Sequence, residues 1–544
     1  MLKMNPGYNA TFFDEYVWNN FIPKDDPLVK IKQFINLEFM EALVKDSYKN
    51  DHYAGRDPID PRTLFLACLL EYIEGYSDVE AAKKIQRMPL YRWFVGLSFE
   101  DKAPDDTTIS FFRTHRMGEE KFKTAFNQVV KQLHEAGLID GQVQSQDATD
   151  LRANIALINV FQLISKGPLN LLKSIQKVNQ KKYEKLLAKS DIEIQRNPAN
   201  KQKHFEELIA AAGLVYDAVR RSASLRSNPE VQKEMEILGR ILDERKDECF
   251  DEEGKKQKKE DEDKIVGKMI NPSDPDASWG AKSDKKFFAG YKAEVNTDHK
   301  YGIITEIKVS KAGHPEEKSA APMLEQQKEN LGIVPLHFTA DAKYDFGNTR
   351  TEIKAVGFPG QPLNLYIPLV PTKNKEGGLT RDNFYFESGH LFCPAGYPAE
   401  RRFNDERRLG FEFKFNADVC QTCELRSECT SAEYGRSVFV SHTQLERQEA
   451  ISFNATEEYE TVYKEQHWKV EPGNANLKRY NGLKRARYRG LPRVRIQAYL
   501  SALASDLKKF VKWIMGKLKN GVLETLAKLA ALFPTKGVVC PDTG

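Results

Sequence analysis

The feature that most limits the fold of this 544-residue chain is a group of strand-like segments set between helical ones. Residues 141–154 predict a polar strand, and residues 287–298 and 301–312 alternate in side-chain character around a short turn, which predicts a β-hairpin. Residues 315–332 then predict a helix, and an apolar strand ending at Asp341 follows, with another helix after it. The order strand, hairpin, helix, strand and helix predicts a mixed α/β sheet.

Two aspartates fall at the ends of these predicted strands. Val143, Ser145 and Asp147 share one strand face, which places Asp147 near the C-terminal end of its strand. Asp341 lies at the carboxyl end of another strand with a helix after it, a position suited to metal or ligand chemistry. Asp345 is the nearest alternative, although we expect it to cap the following helix. A single aspartate at a strand end is most often a turn or cap residue, so neither position identifies a site by itself.

A dense basic segment begins after Glu471. Tyr463, His467, Glu471 and Lys478 recur at helical intervals, and on a continuous helix the last three lie close to one face. No acidic residue follows Glu471 until Asp506. The cations between them are Lys478, Arg479, Lys484, Arg485, Arg487, Arg489, Arg493 and Arg495. This pattern predicts a polyanion-binding face.

The glutamate within that face suggests a chemistry. A carboxylate among cations can bind a divalent metal while Lys478 and its neighbours hold phosphates, as phosphoryl transfer on a nucleic acid requires. The alternative is a solvated basic helix whose glutamate forms only a local ion pair.

The whole-chain composition narrows the class of protein. The length predicts about three or four domains. The net charge is only +4, so a polyanion is expected to meet one face rather than the entire surface. The N-terminus lacks a signal-peptide pattern and no 18-residue apolar run occurs, so we expect a cytoplasmic protein.

Four of the seven cysteines form a group, at Cys393, Cys420, Cys423 and Cys429. Such clustering among otherwise scattered thiols favours a metal site in a reducing compartment over a disulfide framework. Four soft ligands suit tetrahedral zinc, although the spacing around the Cys-x2-Cys pair is looser than in a standard ribbon. An iron–sulfur cluster and simple free thiols are the alternatives. A four-ligand zinc site would be structural rather than catalytic.

The N-terminal 135 residues read as short helices joined by tight turns. Pro61 and Gly75 suit the start and stop of one helix, and Ser77 with Glu80 forms a capping box for the next. This pattern fits a helix-turn-helix-like DNA reader, and it fits a small helical bundle without a DNA role equally well.

Two aspartates at strand ends and a glutamate on a helix are the ligand set of a two-metal phosphoryl-transfer site. Motifs in matching order carry a resemblance to a known family: DATDLRAN at 147–154, SDPDA at 273–277, GYK at 290–292, TADAKY at 339–344, EPG at 471–473, Lys478, and RYRG at 487–490. On these motifs the chain resembles the DDE-type transposases of bacterial insertion sequences, over most of its length.

The resemblance implies an RNase H-like catalytic core within an α/β chain. The implied division is 1–135, a helical N-terminal domain for DNA binding; 136–154, the first part of the core; 155–265, a helical, charge-rich insertion; 266–354, the core continued; 355–455, an insertion with the four-cysteine zinc knuckle; 456–515, the C-terminal helices of the core; and 516–544, a C-terminal helix and tail.

Two departures from the family pattern concern the glutamate helix. In the first, Tyr463 stands one place early and His467 stands where the family commonly has arginine, and a neutral imidazole is a poorer phosphate clamp. Pro472 and Gly473 disfavour a regular helix directly after Glu471, so we expect Glu471 at a helix start or kink.

The resemblance also implies a mechanism. Asp147, Asp341 and Glu471 would bind two Mg²⁺ or Mn²⁺ ions, which would cut double-stranded DNA at the terminal inverted repeats of a mobile element and join its 3′ ends to target DNA. Lys478 and His467 would contact phosphate near the cut. The backbone contacts would come from Lys484, Arg485, Arg487 and Arg489.

The family further implies a homo-oligomer on DNA and a nucleoid-associated cytoplasmic location without membrane contact. Two rival readings remain: an RNase H-like nuclease that cuts without joining, and a non-catalytic DNA-binding protein derived from a transposase.

Overall fold

The computed structural model describes most of the chain. The described residues are 11–48, 58–192, 200–251, 265–283, 285–346, 348–361, 363–370, 378–387, 389–441, 444–466 and 470–519. Within these ranges no helix combines the length and apolar character needed to cross a bilayer.

The described part of the N-terminal region contains eight α-helices. They are α1 (Phe12–Phe21), α2 (Pro27–Phe34), α3 (Phe39–Val44), α4 (Pro61–Glu74), α5 (Asp78–Arg87), α6 (Pro89–Val95), α7 (Asp106–Phe111) and α8 (Gly118–Glu135). A π-helical turn, Phe112–Met117, connects α7 to α8. The predicted helical character of this region is confirmed.

Local sequence signals set the boundaries of α4 and α5. Asp60 caps α4 ahead of Pro61, and Gly75 ends the helix with φ +79°, a conformation that costs glycine little. The predicted capping box between Ser77 and Glu80 begins α5. Because α4 is buried on nearly all sides, it forms the centre of the N-terminal core.

The central sheet contains six strands. They are β1 (Val143–Arg152), β2 (Ser278–Ser283), β3 (Lys286–Asp298), β4 (Ile303–Lys311), β5 (His337–Thr339) and β6 (Asn364–Tyr366). β1 pairs antiparallel with β3 and parallel with β5, and β6 extends the parallel side. β4 and β2 share the other edge of β3. The strand order β4–β3–β1–β5–β6 is the one expected of an RNase H-like core, and the predicted mixed α/β class and β3–β4 hairpin are confirmed.

A helical insertion separates β1 from β2. Its helices are α9 (Val160–Val178), α10 (Gln180–Ser190), α11 (Lys201–Arg220), α12 (Ala223–Arg226) and α13 (Pro229–Arg245). They enclose a hydrophobic core of their own, which includes Ile164, Leu172, Val215 and Leu238. The helical character predicted for 155–265 is confirmed for its described part, while most of the charged run, 252–264, lies outside the described residues.

Two helices flank the parallel strands, and a small β-rich module follows. The flanking helices are α14 (Ala320–Leu331) and α15 (Thr349–Val356). The module comprises β7 (Tyr385–Glu387), β8 (His390–Phe392), β9 (Arg401–Asp405), β10 (Gly410–Lys414), α16 (Ala417–Gln421), α17 (Arg426–Cys429) and β11 (Ser437–Ser441). Its core is separate and is built on Phe384, Phe413 and Val438.

The described chain ends in four helices, α18 (Gln444–Asn454), α19 (Glu457–Gln466), α20 (Val470–Tyr480) and α21 (Leu491–Lys519). α21 packs against α4, α8 and β4, so a single core joins the N-terminal helices to the sheet. The buried Asp506 carboxylate accepts a hydrogen bond of 3.0 Å from the Ile304 amide, which fixes α21 to β4. Arg493 and Arg495, the last two cations of the predicted polyanion-binding face, lie on α21.

Candidate active site

Asp147 lies in the middle of β1, opposite Val295 of β3, and not near the C-terminal end of the strand as predicted. The prediction was wrong because β1 continues to Arg152 along β3. On its other side, however, the pairing of β1 with β5 stops at Ser145 and Thr339. Asp147 therefore lies beyond the end of the neighbouring strand, where the sheet opens.

Asp341 lies level with Asp147 across this opening. β5 ends at Thr339, two residues earlier than predicted, and Asp341 caps a 3-10 turn, Ala342–Tyr344, by accepting a bond of 2.9 Å from the Lys343 amide. Since Ser145 pairs with Thr339, both aspartates are two residues past the last paired position. The register of β1 and β5 thus brings them together.

The negative charge of Asp341 affects the pKa of Asp147. Burial raises the pKa of Asp147, hydrogen bonds from Asn474 and Ala148 lower it, and the charges of Asp341 and Glu316 raise it, with a net upward shift. A divalent cation bound between the two carboxylates would offset the cost of burying their charge and the repulsion between them.

Helix α20 contacts Asp147 through Asn474. Asn474 Nδ2 donates to Asp147 Oδ2 at 2.8 Å. Position 471 lies one turn earlier on the same helical face, although the Glu471 side chain is outside the described part of the structure. α20 begins at Val470 and contains Pro472 in its first turn, where proline is tolerated. Residues 467–469, directly before α20, lie outside the described residues, so the expected helix start or kink at Glu471 stays a prediction.

Lys478 is held close to the same strand. Its ammonium contacts Asp150 Oδ1 at 2.5 Å, and Lys282 contacts the same oxygen at 2.5 Å. Partial burial would raise the pKa of Asp150, but the two ammonium groups outweigh it and the pKa is lowered. Lys478 is therefore bonded to a carboxylate on β1, the strand that carries Asp147.

Helix α19 borders the site on another side. Burial raises the pKa of Tyr463, and the charge of Asp341 adds to this shift, so the phenol lies near that aspartate. Gln466 Oε1 is 3.1 Å from Nδ1 of His299 in the β3–β4 turn. Residues 467–469 between α19 and α20, among them His467, lie outside the described residues.

The predicted backbone-contacting cations differ in their surroundings. Lys484, Arg485 and Arg489 are exposed along a segment that runs beside the end of β1. Arg487 is half-buried: its Nη1 donates to the carbonyl of Tyr76 at 2.8 Å, and its guanidinium lies 4.4 Å from the Tyr72 ring centroid. A phosphate contact by Arg487 would compete with this packing against the N-terminal helices, and its DNA role stays a prediction.

Asp345, the alternative to Asp341, does not cap α15. It pairs with Arg350 at 2.7 Å and with Arg447 at 3.0 Å, and its own side chain is almost fully buried. These contacts give it a structural role in linking α15 to α18.

Three residues around the aspartates were not predicted from the sequence: Asn474, Glu316 and His299. Asn474 could have been found, because it is three residues after Glu471 and therefore shares its helix face. Glu316 and His299 carry no sequence signal, since the fold brings them to the site from distant positions in the chain.

The four clustered cysteines line one cavity of about 280 Å³ in the β-rich module. Burial raises the pKa of the Cys429 thiol, Arg436 lowers it, and the three other thiols raise it, so all four are neighbours. The Tyr397 amide donates to Cys393 Sγ at 3.3 Å. The described cysteines form no disulfide.

The oxygens of the aspartate pair and the sulfurs of the cysteine group are the donor types that the implied metals prefer. The oxygens of Asp147 and Asp341 suit a hard cation such as Mg²⁺, and four sulfurs suit zinc. Among the described side chains, no group of three or more His, Cys, Asp or Glu residues is arranged to hold an ion. The third carboxylate, of Glu471, is not among those side chains.

Comparison with known proteins gives two family matches. A transposase domain (DUF772) matches residues 16–115, which cover most of the N-terminal helices. A transposase DDE domain matches residues 392–511, which include the cysteine group, Glu471 and most of α21. Asp147 and Asp341 lie between the two matches. No curated protein is significantly similar to this chain.

One solved structure is similar over much of its length, a piggyBac transposase synaptic complex with hairpin DNA. It shares 9% identity, with a TM-score of 0.33, over 95% of this chain and 80% of that one. A likeness at this level carries no argument about the site. Two regions of this chain thus match transposase domains, and the second of them is a DDE domain, which is consistent with a DDE-type transposase.

Proposed function

We propose that this chain is a metal-dependent DNA transposase that cleaves DNA at the terminal inverted repeats of its element and joins the 3′ ends to target DNA. Asp147, Asp341 and Glu471 hold two Mg²⁺ or Mn²⁺ ions in this proposal. The observation that carries it is the level placement of the two aspartates beyond β5, with α20 fixed to Asp147 through Asn474.

The bound ions would activate the attacking oxygen and stabilise the leaving oxygen of an in-line displacement at phosphorus. The residues of the chain orient the ligands. Asn474 holds one oxygen of Asp147 at 2.8 Å and the Ala148 amide holds the other at 2.8 Å, so the carboxylate is fixed before any ligand arrives. Such fixation of ligands by neighbouring donors contributes strongly to metal affinity and activity.

DNA would approach along the exposed basic segment. Lys484, Arg485 and Arg489 would contact the phosphate backbone beside β1, and Lys478 and His467 would lie nearest to the cut. Arg487 would contact the phosphate backbone only if its guanidinium moved away from the Tyr72 ring. Base contacts to the element ends would come from the N-terminal helices, and two ends would require a homo-oligomer on DNA.

Two other functions would use the same surface. An RNase H-like nuclease would cut but not join, and a non-catalytic DNA-binding protein would keep the cations without using the carboxylates. The fixation of Asp147 by two hydrogen bonds supports the catalytic reading, because a DNA-binding protein gains nothing from a half-buried carboxylate.

The test is cleavage and joining of a labelled duplex that carries the inverted repeats flanking the gene, with Mg²⁺ or Mn²⁺. Asp147→Asn should abolish both reactions and leave duplex binding intact, whereas Asp140→Asn, at an exposed aspartate just before β1, should behave as wild type. Cutting without joined products would favour the nuclease. Specific binding without cutting under either metal would favour the non-catalytic reading.

We also propose that Cys393, Cys420, Cys423 and Cys429 hold a structural zinc ion. Their placement around one cavity supports this, although the sulfurs would have to close in to ligate it. Purified protein should contain about one zinc per chain by elemental analysis, as a single four-sulfur site requires. Cys423→Ser should lower that content, and Cys249→Ser, at a cysteine in the helical insertion region, should not. A metal-free protein with four reactive thiols would refute the zinc site.

A further inference from the structure

Two lysines and a glutamate form a chain of contacts beside the aspartate pair. Lys292 on β3 contacts Glu316 Oε1 at 2.8 Å and the carbonyl of His314 at 3.0 Å. Lys343, two residues after Asp341, contacts the same Glu316 oxygen at 3.1 Å. One carboxylate oxygen thus accepts from two ammonium groups.

The two lysines differ in how much of each is exposed. The Lys292 side chain is 12% exposed and the Glu316 side chain 7%, so this pair is fixed within the fold. The Lys343 side chain is 53% exposed. Since Lys292 already satisfies Glu316 at the shorter distance, Lys343 is the member of the group that can reach a ligand from solvent.

Lys343 also lies within the electrostatic range of the aspartates. Its backbone amide donates to Asp341 Oδ1 at 2.9 Å, and its ammonium contacts Glu316 at 3.1 Å. A compact ammonium at the edge of a two-metal site is suited to a phosphate oxygen, as a point charge.

We propose that Lys343 contacts the DNA phosphate on which the Asp147–Asp341 site acts, and that Glu316, anchored by Lys292, positions the Lys343 ammonium for that contact. The inference rests on the proposed function and adds a phosphate-contacting residue to it. The carboxylates of Asp147, Asp341 and Glu316 outnumber the ammonium groups of Lys292 and Lys343, so these five side chains together carry a negative charge. The contact between Lys343 and a phosphate therefore forms only once cations occupy the aspartates.

The test uses the full chain and the inverted-repeat duplex in two assays. Binding is measured against salt concentration in Ca²⁺, and cleavage is measured in Mg²⁺. Lys343→Met should reduce the salt slope of log Kd by about one, the value for one lost phosphate contact. It should slow cleavage by about 100-fold, as loss of one charge-stabilising donor does.

Companion variants identify the cause. Lys343→Arg keeps the charge and should retain the salt slope and most of the cleavage. Glu316→Gln leaves Lys343 in place without its anchor and should slow cleavage with little change in slope. Lys318→Met removes an exposed lysine from the same 3-10 turn as Glu316 and should match wild type in both assays.

The outcomes separate this inference from the proposed function. If Asp147→Asn cleaves as wild type does, or if no duplex binding is found, the proposed function fails and the inference with it. If Asp147→Asn is inactive while Lys343→Met keeps the wild-type slope, Lys343 contacts no phosphate, and the inference alone is overturned. A loss of cleavage in Lys343→Met without a change in slope has the same meaning, because it indicates a structural role.

Discussion

Replacing Arg113 with methionine should destabilise the N-terminal helices strongly. Arg113 is 1% exposed; its Nη1 lies 3.0 Å from Glu71 Oε2, its Nη2 contacts Asp78, and its guanidinium lies 4.7 Å from the Tyr488 ring centroid. Removing one partner leaves Glu71, which is fully buried, without its cation. Breaking a buried ion pair in this way costs about 3–5 kcal/mol.

Hydrogen exchange of the α4 amides measures this cost locally, which matters in a chain too large for simple two-state unfolding. A loss of about 3–5 kcal/mol corresponds to opening that is about 100- to several-thousand-fold more frequent. Arg62→Met is the matched control, because Arg62 is 41% exposed, so water can take its place beside Asp60, and an ion pair with a solvated cation contributes about 0–1 kcal/mol. Glu71→Gln combined with Arg113→Met should lose less than Arg113→Met alone.

The loss should also depend on pH. Burial raises the pKa of Glu71 from 4.5 to about 8, with Arg113 opposing the shift. Loss of Arg113 should raise this folded pKa further. While the buried carboxyl is protonated the missing cation costs little, and the extra loss of stability in Arg113→Met grows as pH rises through and above the folded value of about 8. An Arg113→Met variant that opens no more often than Arg62→Met at pH 9 would refute the reasoning.

Further changes have defined outcomes. Asn474→Ala removes the donor to Asp147 and should slow cleavage by about 10- to 100-fold with duplex binding unchanged, while the exposed Asn476→Ala should match wild type. Gly290→Ala would place a Cβ 2.2 Å from the Leu151 carbonyl oxygen of β1, at a φ of +153°. The free energy of unfolding should fall by at least about 1–3 kcal/mol, and a lower melting temperature would show it. Burial raises the pKa of Glu306 to about 7, so stability should fall by up to about 3 kcal/mol as pH rises from 4.5 through that value. Urea midpoints at pH 5 and pH 8 would measure it, and Glu306→Gln should flatten the difference.

The sequence predicted best where the determining interactions are local. The capping box of Ser77 and Glu80 and the β3–β4 hairpin depend on residues close in the chain, and both are confirmed.

Long-range geometry explains what the sequence did not reveal. The alignment of Asp147 with Asp341 depends on a pairing of β1 with β5 across almost 200 residues, which strand periodicity cannot supply. Arg487 looked like a phosphate contact because its neighbours are cations, and its aromatic partner Tyr72 lies in the N-terminal helices. The candidate site residues thus stay predictions, while the helix and strands that carry them are described.

The three-residue length of β5 has a consequence for which insertions and deletions this chain can accept. Only three residue pairs fix β5 to β1, so one residue added or removed between His337 and Asp341 would shift Asp341 by a strand step of about 3.3 Å and turn its side chain to the opposite face. The segment between β1 and β2 is under no such constraint, because loop-closure entropy grows slowly with length and the β1–β3 pairing does not depend on it. Length variation among related chains should therefore concentrate before β2 and be nearly absent around β5.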